Sequence, residues 1–204
     1  MGEVRDGNYR VAIGSQEAML PIVPIGEELA IALLMTIDHG VGFMARAGAD
    51  LAAALAPEHP DIVVSAATLG IPVAIEVTRA LGLDDYLILQ KTPKIHLADA
   101  LAADLASITT GGQQRLLLDR NRVAAVQGRR VALVDDVIST GGSIAAALSL
   151  LDAAGAEVVA IGALLAEGTG WRCVVGERAE LVRTLGTIPL FRPDGAGSWR
   201  EEWT

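Results

Sequence analysis

The chain has 204 residues, of which 51% are hydrophobic, 20% charged and 3% aromatic. This apolar content excludes general disorder, and the length fits one domain with at most a small appendage. The formal net charge of -9 argues against non-specific nucleic-acid binding, which depends on neutralising phosphates.

The single cysteine, Cys173, excludes an intrachain disulfide and a cysteine-rich zinc site. A reducing cytoplasm is therefore the expected location. The segment Met1–Arg10 carries charges and lacks an apolar core, so it does not resemble a secretory signal. Two apolar stretches, Ile22–Ile37 and Ile144–Ala166, are each interrupted by acidic residues, which are costly at bilayer depth. We therefore expect no membrane association.

Apolar runs along the chain alternate between helical and strand periodicity. The pattern predicts helices over Glu28–Ile37, Val41–Leu55, Ile71–Leu81, Ser143–Ala154 and Leu181–Leu185. It predicts strands over Asp61–Ser65, Tyr86–Gln90, Leu116–Leu118, Arg130–Asp135, Glu157–Ala166 and Thr187–Phe191. The alternation predicts an α/β fold with a mostly parallel central sheet and helices on both faces. Ligands of such folds bind at the carboxyl ends of the strands.

The segment Val131–Ser143 (VALVDDVISTGGS) carries the strongest chemical pattern in the chain. An apolar strand delivers Asp135 and Asp136 to its carboxyl end, and a loop of small residues then leads into a helix. Free N–H groups and the positive dipole end at a helix start bind phosphate. A capping role does not explain two adjacent acids, so we predict a sugar-phosphate site in which the acids face the sugar hydroxyls.

The loop within this segment has the composition of a phosphate cradle. Gly141 and Gly142 allow the backbone to approach an anion closely. Ser139, Thr140 and Ser143 add hydroxyl donors to the backbone N–H groups.

These residues resemble the phosphoribosyl-pyrophosphate (PRPP) signature of the type I phosphoribosyltransferases. The resemblance covers about residues 40–167. Asp61–Ala74 (DIVVSAATLGIPVA) is similar to the family's pyrophosphate loop, and Leu87–Lys91 (LILQK) to its strand that ends in a basic residue. The closest likeness, carried also by Lys91–Lys94 and Ala163–Glu167, is to the adenine and xanthine branch, including the purine-operon-repressor proteins that share it.

The resemblance implies a role for each segment. Asp135 and Asp136 would hold the ribose 2- and 3-hydroxyls and, with Lys91, form the catalytic group. The 5-phosphate would be held by Ser139, Thr140, Gly141, Gly142 and Ser143. Pyrophosphate would be held by Ala66, Ala67, Thr68, Leu69 and Gly70, with charge added by Lys94. Mg²⁺ would bridge the diphosphate oxygens, with Asp135 and Asp136 as possible protein contacts.

The resemblance also implies the organisation of the chain as one structural domain. We expect an N-terminal arm or cap over residues 1–38, a PRPP-binding core over residues 39–167 and a C-terminal cap over residues 168–204. A flexible hood would span about residues 92–120, much of which shows no clear periodicity. The family also implies a homodimer.

The expected activity is transfer of the 5-phosphoribosyl group from PRPP to an adenine- or xanthine-type purine, which is a pentosyltransferase reaction. Trp171 and Phe191 are candidate aromatic walls for the base. Glu167 is a candidate contact to the base or a metal, with a solvated strand end as the alternative. Ser139 argues against the hypoxanthine-guanine branch, which carries Asp at that position.

Two alternatives stay open. A regulator that binds PRPP without turnover is favoured by Gln90, where adenine enzymes usually carry a basic residue. Such regulators usually append a DNA-binding domain, for which the first 38 residues are too short and too acidic. A phosphoribosyltransferase that acts on a pyrimidine base shares the PRPP loop, so only the base pocket separates it.

Overall fold

The computed structural model describes residues 2–5, 7–91, 100–105, 114–195 and 197–203. The strands in this part of the chain are β1 (Glu3–Arg5), β2 (Asn8–Ile13), β3 (Gln16–Pro24), β4 (Ala30–Ala32), β5 (Ile62–Ala66), β6 (Tyr86–Leu89), β7 (Ala100–Leu105), β8 (Gln114–Asp119), β9 (Arg130–Ile138), β10 (Glu157–Glu167), β11 (Val182–Ile188), β12 (Leu190–Pro193) and β13 (Trp199–Glu202). The helices are α1 (Val41–Leu55), α2 (Gly70–Ala80), α3 (Gly142–Ala153) and α4 (Trp171–Val175).

The central sheet is parallel and has the strand order β11-β10-β9-β5-β6. Its middle strand, β9, is buried from Val131 to Val134, as expected for an apolar run covered on both faces. Val131 and Leu133 pack into the cluster on the α3 side, whereas Ala132 and Val134 pack into the cluster with α1 and α2. The predicted α/β class, with a mostly parallel sheet between helices, is confirmed.

A second sheet joins the two ends of the chain in the order β1-β2-β3-β4-β12-β13. It is antiparallel, and Leu190 of β12 pairs with Ile31 of β4. Tyr9 and Phe191 are fully buried in it, with their ring centroids 5.4 Å apart. The cap expected from the termini is therefore a regular sheet, which shares its hydrophobic core with α1 and α2.

The helix predicted over Glu28–Ile37 is wrong. This segment contains strand β4 and a 3₁₀ turn at Thr36–Asp38. Hydrogen bonding of β4 to β3 on one edge and to β12 on the other outweighs the local helical pattern.

The helix predicted over Leu181–Leu185 is also wrong. A 3₁₀ turn at Gly176–Leu181 ends there, and β11 follows as a parallel neighbour of β10. The central sheet consequently continues to Ile188, beyond the predicted core limit at residue 167. The strand predicted over Thr187–Phe191 is divided between β11 and β12.

The described part of the expected hood is the antiparallel pair β7 and β8. Leu116 and Leu118 are buried in the core on the α3 side, and Leu117 bridges to Gln90 beyond the end of β6. The remaining hood residues, 92–99 and 106–113, lie outside the described residues. None of the helices in the described ranges has the length and hydropathy needed to cross a membrane.

Candidate functional site

Asp135 and Asp136 lie side by side near the carboxyl end of β9, in the middle of the central sheet. The strand continues to Ile138, so both acids belong to the strand instead of following it. Their side chains are half-buried, and the N–H of Asp136 donates a hydrogen bond to Asp135 Oδ1 at 3.0 Å. The acids are thus held in fixed positions at the sheet edge where ligands of this fold class bind.

Burial of this acid pair changes its protonation. Burial raises the pKa of the Asp135 carboxyl well above its usual range, and the charge of Asp136 raises it further. Burial also raises the pKa of Asp136. The positive charge of Lys91, which is exposed just beyond β6, lowers the pKa of both carboxyls. The pair therefore retains a proton more readily than free aspartates, and a bound cation would favour its ionised form.

The loop after β9 leads directly into the first turn of α3. Gly141, the residue before the helix, has a φ of +82°. A Cβ atom added to Gly141 would lie 2.9 Å from the backbone oxygen of Trp171, so both the conformation and the packing require glycine. Gly141 has no side chain that could cap α3, and the first turn receives its side-chain contact from Thr140.

A cavity of about 90 Å³ lies between this loop and the end of β9. Asp135, Ser139, Thr140 and Ser143 supply polar groups to its lining. The N–H of Gly142 donates to Thr140 Oγ1 at 3.3 Å. The structure thus brings Asp135 and the predicted phosphate loop together around one small space, which Asp136 does not line.

The segment Ala66–Gly70 connects β5 to α2. It lies near the site because β5 is the strand next to β9 in the central sheet. The peptide between Ala67 and Thr68 is cis, and the N–H of Ala67 donates to the backbone oxygen of Leu89 at 2.9 Å. On the other side, Thr36 Oγ1 donates to the backbone oxygen of Leu69 at 2.6 Å. The loop is therefore anchored to two different parts of the fold.

Sequence reasoning did not identify Thr36 as part of the site. It is 1% exposed and lies in the 3₁₀ turn that replaces the predicted helix. A threonine within the apolar run Leu33–Ile37 was the available signal, although the contact to Leu69 is long-range and leaves no local pattern.

Gly70 allows the pyrophosphate loop to approach the acid pair. A Cβ atom there would lie 2.1 Å from Ser65 Oγ and 2.9 Å from Asp135 Oδ1. Ser65 is fully buried, and its hydroxyl has no hydrogen-bond partner among the described residues. The backbone of Gly70 therefore lies next to Asp135, and the assignment of the two segments to one ligand site stays a prediction.

Glu167, the last residue of β10, lies beside the start of the phosphate loop. The register pairs Ala166 with Ile138, so Glu167 and Ser139 follow these partners on adjacent strands. Ser139 Oγ donates a short hydrogen bond to Glu167 Oε2. Burial raises the pKa of Glu167, and the bond from Ser139 opposes that rise. Glu167 is 8% exposed, which excludes the solvated strand end as its environment.

One predicted contributor is not described, and two others are not brought to the site. Lys94 lies outside the described residues. Phe191 is fully buried in the core shared by the terminal sheet, and Trp171 is 3% exposed on the α3 side. Because neither ring has a free face, the proposed aromatic walls for the base are wrong. Trp171 instead supports the phosphate loop through its backbone contact with Gly141.

The chain offers carboxylate oxygens for a hard cation at Asp135 and Asp136. Within the described ranges, no group of three or more His, Cys, Asp or Glu side chains could hold a metal alone. Two carboxylates suit Mg²⁺, which keeps several waters and binds through one or two carboxylates together with substrate phosphates. The donor set therefore fits a magnesium ion that arrives with a phosphorylated ligand.

Comparison with known proteins gives a consistent family. The model of the phosphoribosyl transferase domain matches residues 43–176. A hypoxanthine/guanine phosphoribosyltransferase of Methanocella arvoryzae is 31% identical over 130 residues, which cover 64% of this chain and 63% of that protein. The purine biosynthesis transcriptional repressor PurR of Bacillus subtilis is 30% identical over 148 residues, which cover 72% of this chain and 50% of that protein.

A third relative has a different acceptor in its name. An orotate phosphoribosyltransferase of Heliobacterium modesticaldum is 31% identical over 172 residues, which cover 81% of this chain and 70% of that protein. The chain thus spans between half and about two thirds of the length of the first two relatives, and slightly more of this one.

Solved structures of adenine phosphoribosyltransferases share the fold. The Trypanosoma brucei protein superposes with a TM-score of 0.62 at 16% identity, covering 87% of this chain and 75% of that one. The Thermoanaerobacter pseudethanolicus protein superposes with a TM-score of 0.56 at 22% identity, covering 72% of this chain and 80% of that one. The fold is that of the type I phosphoribosyltransferases.

Proposed function

The chain belongs to the phosphoribosyl transferase domain family, and we propose that it transfers the 5-phosphoribosyl group from PRPP to a purine base. One observation carries this proposal. Asp135, Ser139, Thr140, Gly141 and Ser143 line one small cavity at the carboxyl end of β9, where α3 begins, and Asp136 is the next residue of the strand. A ribose 5-phosphate presents a diol and a phosphate, the two groups that this arrangement complements.

The acid pair binds the ribose in this proposal. Asp135 and Asp136 accept hydrogen bonds from the 2- and 3-hydroxyls, and each bond favours the ionised carboxylate. In the reaction the bond between ribose C1 and pyrophosphate breaks as a base nitrogen attacks C1. Because positive charge then develops on the ribose, fixed carboxylates beside it stabilise the transition state.

The 5-phosphate binds at the start of α3. Backbone N–H groups of Thr140, Gly141 and Ser143, with the hydroxyls of Thr140 and Ser143, supply donors to its oxygens, and the N–H of Gly142 becomes available when Thr140 turns to the phosphate. Ser139 contributes its backbone to the same loop, because its hydroxyl proton is already donated to Glu167.

Pyrophosphate leaves on the other side of the acid pair, over the backbone of Ala66–Gly70. Lys91 supplies positive charge there, as its effect on both carboxyls indicates, and Lys94 is proposed as a second cation. Thr68 is the one residue of this loop with a polar side chain. The leaving group is thus stabilised mainly by backbone N–H groups and lysine.

Magnesium would be held by Asp135, Asp136 and the diphosphate oxygens. When bound, it neutralises charge on the leaving group. Asp135 and Asp136, whose pKa values are raised by burial, would ionise more readily beside such a cation.

A purine is the proposed acceptor because relatives named for purine phosphoribosyltransfer or purine regulation match the chain at 30% identity or more. The orotate relative supports a pyrimidine acceptor as the second candidate, since it covers 81% of the chain. PRPP sensing without turnover is supported by the repressor relative. It is also supported by Gln90 and Leu69, because these two side chains are uncharged and add nothing to the charge of Lys91 near the pyrophosphate.

A turnover screen tests the proposal. The protein with PRPP and Mg²⁺ is offered adenine, xanthine, guanine, hypoxanthine, orotate and uracil, and pyrophosphate release is measured. Release with one purine is the expected result. Release with orotate or uracil alone would move the activity to a pyrimidine, and calorimetric PRPP binding without release from any base would support the sensor. The cytoplasmic location and the homodimer stay predictions. Gel filtration with light scattering tests the oligomeric state.

A further inference from the structure

Ser65 is a buried polar residue that the binding steps described above do not use. It lies in β5, it is fully buried, and its hydroxyl has no hydrogen-bond partner among the described residues. Burying a hydroxyl without a partner costs stability, and few such groups occur in folded proteins. An unpaired hydroxyl of this kind is either a defect of the core or a group that acquires its partner in another state of the protein.

The position of Ser65 distinguishes these two explanations. Strand β5, which carries Ser65, pairs in the central sheet with β9, which carries Asp135. A Cβ atom at Gly70 would lie 2.1 Å from Ser65 Oγ and 2.9 Å from Asp135 Oδ1. The hydroxyl and the carboxylate therefore face the same narrow space, which stays open because residue 70 is a glycine.

Asp135 can accept a further hydrogen bond in this space. Its Oδ1 atom accepts from the N–H of Asp136 at 3.0 Å. A carboxylate oxygen has two lone pairs, so that atom retains one for a second donor. A carboxylate held away from water needs such donors, because its charge is otherwise left without compensation. Ser65 carries a hydroxyl proton that no described acceptor takes.

We propose that Ser65 is a positioning residue for Asp135. When the carboxylate holds a ribose hydroxyl, it turns to accept the proton of Ser65 Oγ, and this bond fixes its orientation. Ser65 itself does not touch the ligand. The hydroxyl then lacks a partner only while the ribose site is empty. This inference rests on the proposed function, which assigns the ribose to Asp135.

Two ligands separate the acid pair from the phosphate loop. Calorimetry without Mg²⁺ measures the affinity for ribose 5-phosphate, which would contact both. A titration followed by NMR measures the affinity for inorganic phosphate, which would contact the loop alone, so the ratio of the two affinities reports the ribose contacts. Ser65→Ala lowers this ratio about tenfold, as expected for loss of one hydrogen bond to a charged group. Inorganic phosphate binds to this variant as it does to wild type.

The stability of Ser65→Ala gives a readout that a purely structural role would not produce. Because the hydroxyl is unpaired in the free protein, its removal leaves the midpoint of urea unfolding unchanged or raises it. A lower ribose ratio in a protein of equal or higher stability is the expected combination. A lower urea midpoint would show that the hydroxyl is already bonded in the free protein, and it would overturn the proposal.

Asp135→Ala tests whether Ser65 acts through the acid. This variant has no carboxylate to position, and we expect it to bind ribose 5-phosphate mainly through the phosphate loop. Adding Ser65→Ala in that background lowers the affinity no further. A further loss would place Ser65 in contact with the ligand or with the loop over residues 66–70, and it would overturn the positioning role.

Thr78→Val is the matched control. Thr78 lies in α2 and also has a buried hydroxyl without a partner in the described structure. This variant should resemble Ser65→Ala in stability and keep the wild-type ratio, and an equal loss of the ratio would overturn the proposal. A Ser65→Ala ratio equal to that of wild type would refute this inference alone. A wild-type protein that binds neither ribose 5-phosphate nor PRPP would refute the proposed function.

Discussion

At Asp135, burial opposes ionisation of a carboxyl to which the proposed function assigns the ribose. Its pKa is raised by burial and by Asp136, so ionising it without a ligand is unfavourable. A ribose diol and a divalent cation would supply the compensating donors and charge. The same environment that opposes ionisation in the free protein therefore strengthens the interaction with ligand, because the charge lies in a region of low dielectric.

The pH dependence of stability follows from this residue. A carboxyl with a raised pKa in the folded state binds more protons there than in the unfolded state. Its contribution to the free energy of unfolding therefore falls as pH rises from the ordinary carboxyl range, about pH 4, through the raised pKa. Asp135→Asn removes this loss, so the variant gains stability relative to wild type as pH rises from about 5 to about 8.

Urea unfolding at several pH values measures that difference. Asp104→Asn is the control, since Asp104 lies in an exposed ion pair with Arg115. A stability difference between Asp135→Asn and wild type that stayed constant or shrank with rising pH would contradict the assignment of a buried, proton-retaining carboxyl.

At the level of elements, the loop over residues 66–70, to which the proposed function assigns pyrophosphate, is held by a hydrogen bond between distant parts of the chain. Thr36→Val removes the hydrogen bond from Thr36 Oγ1 to the backbone oxygen of Leu69 while preserving side-chain shape. We expect a loss of about 1 kcal/mol in the free energy of unfolding. Weaker binding of pyrophosphate, measured by calorimetry with Mg²⁺, should accompany it because the loop is less firmly held.

Thr78→Val is the matched control in α2. Thr78 is 4% exposed, and its hydroxyl is buried without a hydrogen-bond partner in the described structure. Replacing an unsatisfied hydroxyl by a methyl group is expected to be neutral or stabilising. Equal destabilisation by the two substitutions would show that the Thr36 bond has no special role.

Elements with local signals could be predicted from the sequence. Helix α1 matches its predicted bounds, and β9, α3 and β10 differ by a few residues, because dense apolar periodicity marks them. Strands β4 and β12 pair although most of the chain lies between them, so the sequence around either strand does not reveal its partner. The terminal sheet was consequently anticipated only as a cap.

In the candidate site, too, the parts with a local sequence signal could be predicted and the long-range contacts could not. The acids and the phosphate loop lie in one continuous segment, Val131–Ser143, and were predicted from it. The bonds from Thr36 to Leu69 and from Ser139 to Glu167 join residues 33 and 28 positions apart. Such contacts depend on the packed fold, and no spacing rule identifies them.

At the scale of the molecule, the terminal sheet and the central sheet share one hydrophobic core. Phe191→Ala removes a fully buried ring that packs edge-on against Tyr9. We expect a loss of about 3–5 kcal/mol in the free energy of unfolding, within a single transition. Circular dichroism and tryptophan fluorescence in urea measure whether the transitions coincide.

Trp203→Ala is the corresponding control, because Trp203 is 49% exposed. Its effect should stay within about 0.5 kcal/mol. Two separate transitions in Phe191→Ala, one for each sheet, would contradict a shared core and indicate that the terminal sheet unfolds on its own.

We propose above all that Asp135 and Asp136 form the ribose site of a PRPP-binding protein. Calorimetric titration of PRPP with Mg²⁺ into wild type and the Asp135→Asn/Asp136→Asn variant tests it most directly, with circular dichroism to verify the fold. We expect the wild-type protein to bind PRPP and the folded double variant to have lost that binding. Equal PRPP affinity in the two proteins, or no binding by wild type, would contradict it.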